Sequence, residues 1–487
     1  MFARLKQLAR DTMIYGVGSI AAKVVALLML PLYTYFLSKS QYGISEAVMT
    51  IDLFLVAVVK LGLQNSMFRF YYDEDHANPG PGGTMVVRTV MAIMLGASLL
   101  VSAVLATFAH SISSFYFHDS RDVKYIWIMI FGIFTMTIYQ TLTATFRLEK
   151  RPVTFMRWTL FNVGFTVLFT VLLVAVFHFG AVGLLMGNFL GTAVLIPGVV
   201  FQQHRFARPG FSRKLSREMV AFGVPTMPMA LANQGLTLID RTFLTRTAGL
   251  SQLGLYSLAS KMSQVVLLVV MALQMSWQPF AYSIADDEEA RRVYATVMTW
   301  YVASVGWLVI AASLLADPLV RLLTRSTFYD AALSIPLLAV AAGVYGMYFI
   351  AGIGASRVKK TQFHVVVASG ALITSFLANL VLTTRYGNVG AAGAAVLANG
   401  ALSGLMFARS QHVFRVPYAW GRMARAGGVV AVAVALAYWL PRGELWTLAP
   451  RIAGVIAVPF VLKAVGFFPP AELAGLKRRF AARKVPK

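Results

Sequence analysis

Fourteen stretches of about twenty apolar residues run through this chain, near 12–37, 42–66, 85–108, 123–146, 153–177, 181–203, 218–239, 252–278, 293–315, 331–353, 362–383, 388–411, 425–441 and 446–468. A helix rises 1.5 Å per residue, so ~20 residues cross a ~30 Å hydrocarbon core. Within that core only a helix or a closed barrel satisfies its own backbone polar groups. The expected fold is therefore an all-α polytopic membrane protein with about fourteen transmembrane helices. Composition agrees, since 58% of the 487 residues are hydrophobic and 13% are charged. The longest connections, near 73–84 and 202–217, run to twelve and sixteen residues and leave no room for a soluble domain.

Several chemistries drop out early. The chain has no Cys, which removes disulfides, thiolate metal sites and Cys nucleophiles. Its seven His are scattered without ligand spacing, so no metal site is expected. No Gly-x-x-x-x-Gly-Lys-Ser/Thr loop is present to cradle a nucleotide, so ATP is not the expected energy source. The net charge of +24 fits basic loops facing anionic lipid, and no nucleic-acid partner is expected. With the amino terminus placed inside and the sides alternating, Arg and Lys favour the cytoplasmic side by about three to one. Both termini are then cytoplasmic, and the basic tail from Lys477 to Lys487 lies against the inner leaflet. The first apolar stretch, after Met1-Phe2-Ala3-Arg4-Leu5-Lys6, exceeds a signal-peptide core and reads as a retained helix.

The chain also repeats itself. Phe179-Gly180-Ala181-Val182-Gly183 matches Tyr386-Gly387-Asn388-Val389-Gly390, and Tyr15-Gly16-Val17 matches Phe222-Gly223-Val224, both at an offset of 207. Tyr42-Gly43-Ile44 pairs with Leu253-Gly254-Leu255 at 211, and Arg147-Leu148-Glu149-Lys150 with Arg357-Val358-Lys359-Lys360 at 210. Phe70-Tyr71-Tyr72 before Asp73-Glu74-Asp75 pairs with Phe280-Ala281-Tyr282 before Asp286-Asp287-Glu288-Glu289. Near-constant offsets divide the chain into a six-helix lobe, 1–206, a second six-helix lobe, 207–416, and two extra helices with a basic tail, 417–487. An even number of spans per lobe gives both the same orientation, a parallel repeat with the substrate path at its interface. Gly183, Gly187 and Gly191, and likewise Gly400 and Gly404, recur every four residues and suit close helix packing. Pro31, Pro225, Pro228 and Pro336 fall within apolar stretches as expected kinks.

Charges inside those stretches are the candidate functional residues, because an ionisable group in the bilayer is costly unless paired or wet. The first hairpin, two helices expected to turn at Ser38-Lys39-Ser40-Gln41, carries Lys23, Asp52 and Lys60; the eighth span carries Lys261. Counted from the outer ends, Asp52 and Lys261 lie ~15 Å deep and Lys23 ~20 Å. Three lysines against one mid-membrane acid suggest a wet cationic cavity that attracts anions. An ion pair of Lys23 with Asp52, and Lys60 reaching the cytoplasmic headgroups, are the alternatives left open. Asp240-Arg241 is read as closing the seventh span at the outer rim, with Glu46 near the outer end of the second. Gln64, Asn65, Asn233, Gln234 and Gln264 on the same helices offer hydrogen bonds to a polar cargo.

These residues resemble the polysaccharide-transporter branch of the multidrug/oligosaccharidyl-lipid/polysaccharide (MOP) flippase superfamily, the Wzx-type flippases, in a MATE/MurJ-like fold. The likeness rests on Tyr15-Gly16-Val17-Gly18-Ser19, Leu30-Pro31-Leu32-Tyr33-Thr34-Tyr35-Phe36-Leu37, Tyr42-Gly43, Arg69-Phe70-Tyr71-Tyr72, Asp240-Arg241-Thr242-Phe243-Leu244 and Leu253-Gly254-Leu255-Tyr256 through Lys261, over about 10–415. It implies a non-enzymatic, monomeric carrier in the bacterial inner membrane. Such a carrier moves an undecaprenyl-diphosphate-linked glycan (O-antigen, capsule or exopolysaccharide unit) to the outer leaflet by alternating access. Lys23, Lys60 and Lys261 would engage diphosphate or acidic sugars, Arg241 would guide the exit, and Asp52 or Asp240 would carry H+ or Na+ if transport is coupled. By analogy with the lipid II flippase, the lipid tail would follow a groove beside spans thirteen and fourteen. Membrane lipid, a glycan polymerase and a chain-length regulator are the implied partners. Lipid II, small drugs exported by the sister branch, and a membrane glycosyltransferase or polymerase are the competing readings. Asp73-Glu74-Asp75 is a D-x-D pattern that would serve the last of these, but the topology places it in a cytoplasmic loop.

Overall fold

A computed structural model describes residues 21–72, 81–117, 120–358 and 362–468. The Tyr15-Gly16-Val17 start, the acidic Asp73-Glu74-Asp75 and the tail from Lys477 lie outside the described residues. Those described form helices and no strand. Fourteen of the helices follow the apolar stretches: α1 Ala21–Phe36, α2 Lys39–Lys60, α3 Pro81–Thr107, α4 Lys124–Leu148, α5 Pro152–Val176, α6 Gly180–Gln202 and α7 Met227–Thr247. Then come α8 Leu250–Ser283, α9 Asp287–Leu314, α10 Ile335–Arg357, α11 Phe363–Ala378, α12 Thr384–Val413, α13 Trp420–Trp439 and α14 Leu448–Ala464. Among the described residues ten continuous helices are long and apolar enough to cross a membrane, one of which, Phe363–Val413, contains both α11 and α12.

Several boundaries move from their expected places for local reasons. The first hairpin turns at Leu37-Ser38. Ser38 accepts from Gln41 N at 3.2 Å and Gln41 Oε1 accepts from Ser38 N at 3.1 Å, a capping box that puts Lys39, Ser40 and Gln41 inside α2. That helix stops at Lys60, where Leu61 and Gly62 are both left-handed; Leu63–Phe70 is a separate helix. The span expected at 218–239 is shifted too. Arg213–Gly223 is its own helix, Pro225 lies in a 3₁₀ turn, and α7 begins with Pro228 in its first turn. Pro336 likewise opens α10 rather than kinking a span. The acidic run at 286–289 is a helix start: Asp286 accepts from Glu289 N at 2.7 Å, and three carboxylates follow where a helix dipole favours them.

The repeat is visible in the backbone. A π-helical turn ends α5 at Leu172–Val176, and another follows α11 at Asn379–Thr383, 207 residues later. Gly180 and Gly387, at the same offset, both have φ +56, a conformation costly for any other L-residue. At the first helix of each pair, Gly43 faces the Leu250 carbonyl while Gly254 faces the Lys39 carbonyl, with no space for a Cβ on either. Each contact maps onto the other under the repeat.

By internal contacts the chain forms two compact units. One holds the described residues through Lys261, together with 323–328 and 368–398. Within it α2 packs against α3, α4, α6 and α7, so its polar residues face protein rather than lipid. Gly183, Gly187 and Gly191 lie against Leu173, Thr170 and Thr166, as close α5–α6 packing requires. Gly400 and Gly404 differ from that expectation, since a Cβ on either would meet nothing within 4 Å. The second unit holds 262–322, 329–367 and 399–468. Its core joins α9 to α13 and α14 through Ile310, Leu314, Ala426, Ala433, Val458 and Leu462. Arg451 is fully buried there, donating to the carbonyls of Leu314 at 2.8 Å and Pro441 at 2.9 Å.

Candidate functional site

The densest buried charge cluster sits where α2, α7 and α8 meet. Glu46 lies two turns into α2 and is 3% exposed. Its Oε1 accepts from Lys261 Nζ at 2.5 Å and its Oε2 from Arg241 Nη1 at 2.9 Å. Arg241 Nη1 also reaches Thr50 Oγ1 at 2.6 Å and the Glu46 carbonyl at 3.2 Å. Lys261 Nζ lies 5.5 Å from the Tyr33 ring and 5.1 Å from that of Tyr42, the range of a cation–π contact. Two cations thus share one carboxylate, leaving the cluster formally at +1. Because α7 runs to Thr247, Asp240 and Arg241 stand inside the helix, Asp240 buried and Arg241 half-buried, correcting their expected place at its rim.

Asp240 points the other way from Arg241. It accepts from Asn379 Nδ2 at 2.6 Å, Ser375 Oγ at 3.1 Å and Tyr256 Oη at 3.3 Å. Asn379 opens the π turn, and Thr383 donates in turn to its Oδ1 at 2.7 Å. The result is a polar knot joining α7, α8 and α11, which sequence spacing did not suggest. Ser375, Asn379 and Thr383 recur every four residues on one helical face, the signal that would have pointed to it.

The remaining candidates spread along the helices. Asp52 is 2% exposed and packs beside Gly132 of α4; among the described residues no hydrogen bond reaches its Oδ1, and none of the ion pairs joins it to Lys23. Lys23 is half-buried on α1. Lys60, at the far end of α2, donates to Gln140 Oε1 at 2.6 Å. Fourteen residues separate it from Glu46, about 21 Å of helix. Gln64 lines a cleft on that side, and Asn65 is exposed on the next helix. Gln234 and Gln264 are half-buried on α7 and α8; Asn233 falls on α7, its side chain outside those described. The lysines therefore do not converge on one point: Lys261 belongs to the Glu46 cluster and Lys60 to a different place. Glu46 was the residue undervalued in the sequence, because only the packing of α7 and α8 against α2 brings two cations to it.

In sequence, polysaccharide biosynthesis proteins match this chain over residues 33–333. No curated protein sequence matches it. Among solved structures, the lipid II flippase MurJ in an inward closed conformation superposes with a TM-score of 0.69 at 14% identity, over 93% of this chain and 98% of that one. An inward-facing multidrug resistance MATE family transporter of the MOP superfamily gives 0.65 at 12% identity, over 83% and 96%. A MATE transporter from Vibrio cholerae gives 0.56 at 14% identity, over 84% and 97%. At such identities the likeness is one of fold, that of a multi-pass helical membrane protein.

Proposed function

We propose, from the premise that this chain belongs to the polysaccharide biosynthesis protein family, that it is a flippase for an undecaprenyl-diphosphate-linked oligosaccharide. It moves an O-antigen, capsule or exopolysaccharide unit from the cytoplasmic to the outer leaflet of the bacterial inner membrane, and both termini are cytoplasmic. The observation that carries this reading is the Glu46–Lys261–Arg241 cluster. A glycan diphosphate is a strong anion that cannot cross hydrocarbon unaided. Two cations on one carboxylate hold a formal excess of +1, with Glu46 as the exchangeable counter-ion. An arriving phosphate competes with Glu46 for the same donors, and charge-assisted bonds to an anion are the strong ones.

Glu46, Lys261 and Arg241 tie α2 to α7 and α8 beside the Gly43–Gly254 contact. Breaking those ion pairs as the anion binds couples occupancy to opening, as alternating access requires. Asp240 and Asp52 are the groups proposed to carry a coupling H+ or Na+, and no enzymatic step is involved. The apolar cleft of about 540 Å³ between α9, α13 and α14, lined by Leu314, Val432, Val458 and Val461, suits the lipid tail. A glycan polymerase and a chain-length regulator would take the product on the outer side. The fold likeness to a lipid II flippase makes the peptidoglycan precursor the second reading.

The test is glycan export. Lys23→Ala and Lys261→Ala should each abolish surface glycan while the protein stays in the membrane; normal export by both sinks the cationic-site idea. Dissipating the proton or sodium gradient should slow translocation if an acid couples it, and an unchanged rate argues for uncoupled flipping. Restoration of peptidoglycan synthesis in cells lacking their lipid II flippase would favour the second reading.

A further inference from the structure

Two arginines at the Glu46 end of the helices make the same double contact. Arg246, in the last turn of α7, donates from Nη1 to the Phe115 carbonyl at 2.7 Å and lies 4.3 Å from the Phe115 ring. Arg325, between α9 and α10, donates from Nη1 to the Tyr35 carbonyl at 3.4 Å and lies 5.2 Å from the Tyr35 ring. Tyr35 is the next-to-last residue of α1, and Phe115 falls in the last turn of the helix Ala109–Phe117. The closing carbonyls of a helix have no partner within it and form its negative end, so a cation suits both places. The guanidinium then rests on the ring of the same residue, a cation–π contact.

The two contacts are related by the repeat. Tyr35 and Arg246 stand 211 residues apart, as Gly43 and Gly254 do, and Phe115 and Arg325 stand 210 apart, as Arg147 and Arg357 do. One contact therefore maps onto the other with ring and cation exchanged. They are also crossed, since a first-lobe segment holds α7 and a second-lobe segment holds α1. By internal contacts 323–328 groups with α1, α2 and α7, whereas 262–322 and 329–367 fall in the other unit. Each segment also reaches the Glu46 cluster. Tyr116 Oη lies 3.2 Å from Thr242 Oγ1 and shares a narrow seam with Thr50 and Arg241. Phe328, whose N–H donates to the Arg325 carbonyl at 2.9 Å, sets its ring edge-on to Tyr42 with centroids 6.2 Å apart. Tyr42 stacks on Tyr33 at 6.0 Å, and these are the two rings that Lys261 faces. One segment thus borders the cluster on its Arg241 side and the other on its Lys261 side. Tyr35 and Phe115 are 61% and 46% exposed, whereas Phe328 and Tyr42 are fully buried. Exposed cation–ring pairs are individually weak, so each is a contact that thermal motion releases. We propose that these crossed latches are the closing device of the Glu46 end, and that both release when that end opens. Passage of a cargo through the opening rests on the flippase reading; the closure itself does not.

The experiment measures the distance between spin labels at Lys39→Cys and Ser251→Cys in the full-length protein in nanodiscs. Arg246→Gln and Arg325→Gln should each raise the long-distance share about threefold and together about ninefold, as two weak contacts released in one step require. Phe115→Leu should act like Arg246→Gln and add less than about 1.5-fold to it, because both remove one contact; Tyr35→Leu should stand in the same relation to Arg325→Gln. All four side chains are exposed, so these variants leave the core intact. An unchanged distance distribution in the Arg246→Gln, Arg325→Gln double variant overturns the proposal, and so does a double variant that opens no further than either single one. Export separates the latches from the flippase reading. If the latch variants open the protein while Lys23→Ala and Lys261→Ala export glycan normally, the latches stand and the cationic site falls. If both lysine variants lose export while the latch variants leave the distances unchanged, the flippase reading stands and the latches fall.

Discussion

Glu46 shows how little a single residue's identity says about its role. On α2 it is one acid among apolar neighbours. In the folded chain it is buried and is the shared partner of Lys261 and Arg241, which are half-buried beside it. Removing one member of a buried ion pair strands the other charge, which costs about 3–5 kcal/mol. Glu46→Gln strands two cations at once, so its unfolding free energy in detergent should fall by about 3 kcal/mol or more. A double variant, Glu46→Gln with Lys261→Met, should recover part of that loss because the stranded lysine is gone. Additive losses in the two variants would mean that the residues are not energetically coupled. Asp52 makes the opposite point. Its placement in the middle of a span was plain in the sequence, but its packing against Gly132 was not.

At the scale of elements, the helices follow the apolar stretches and their ends follow local chemistry. Pro228 starts α7 and Pro336 starts α10, each where a proline's missing N–H is harmless. A two-residue left-handed break at Leu61-Gly62 ends α2, and this was not legible from hydropathy, which runs on through it. The α2–α8 crossing depends on glycine at both contact points, since each faces a carbonyl of the other helix. Gly43→Leu should force the two helices apart. Because the chain has no Cys, spin labels can be placed cleanly at Lys39→Cys and Ser251→Cys, and their distance should lengthen in the variant. The same distance in both proteins would show that the crossing does not hold this end closed. Gly187→Leu tests packing within one lobe: with Thr170 2.5 Å from its Cβ, overpacking should cost about 1–3 kcal/mol in thermal unfolding.

For the whole molecule, the proposed membrane orientation rests on the basic loops. A reporter fused after Gly80 should report the cytoplasm, and an outer-side signal there would reverse every assignment of inside and outside. What the sequence by itself determined is the class of fold: apolar stretches of bilayer length demand helices, and the 207-residue offset demands two related sets of them. The structure repeats that offset in its two π turns and its two left-handed glycines, because local backbone geometry is written in local residues. Only the tertiary structure decided which charges meet. Lys60 and Lys261 share a composition argument but not a location. Arg241, assigned to a rim, falls inside α7 because that helix starts about two and a half turns after its hydropathy window and runs on to Thr247. A charge's partner is set by the rotation of its helix and by which neighbours pack against it, and periodicity along one stretch carries neither.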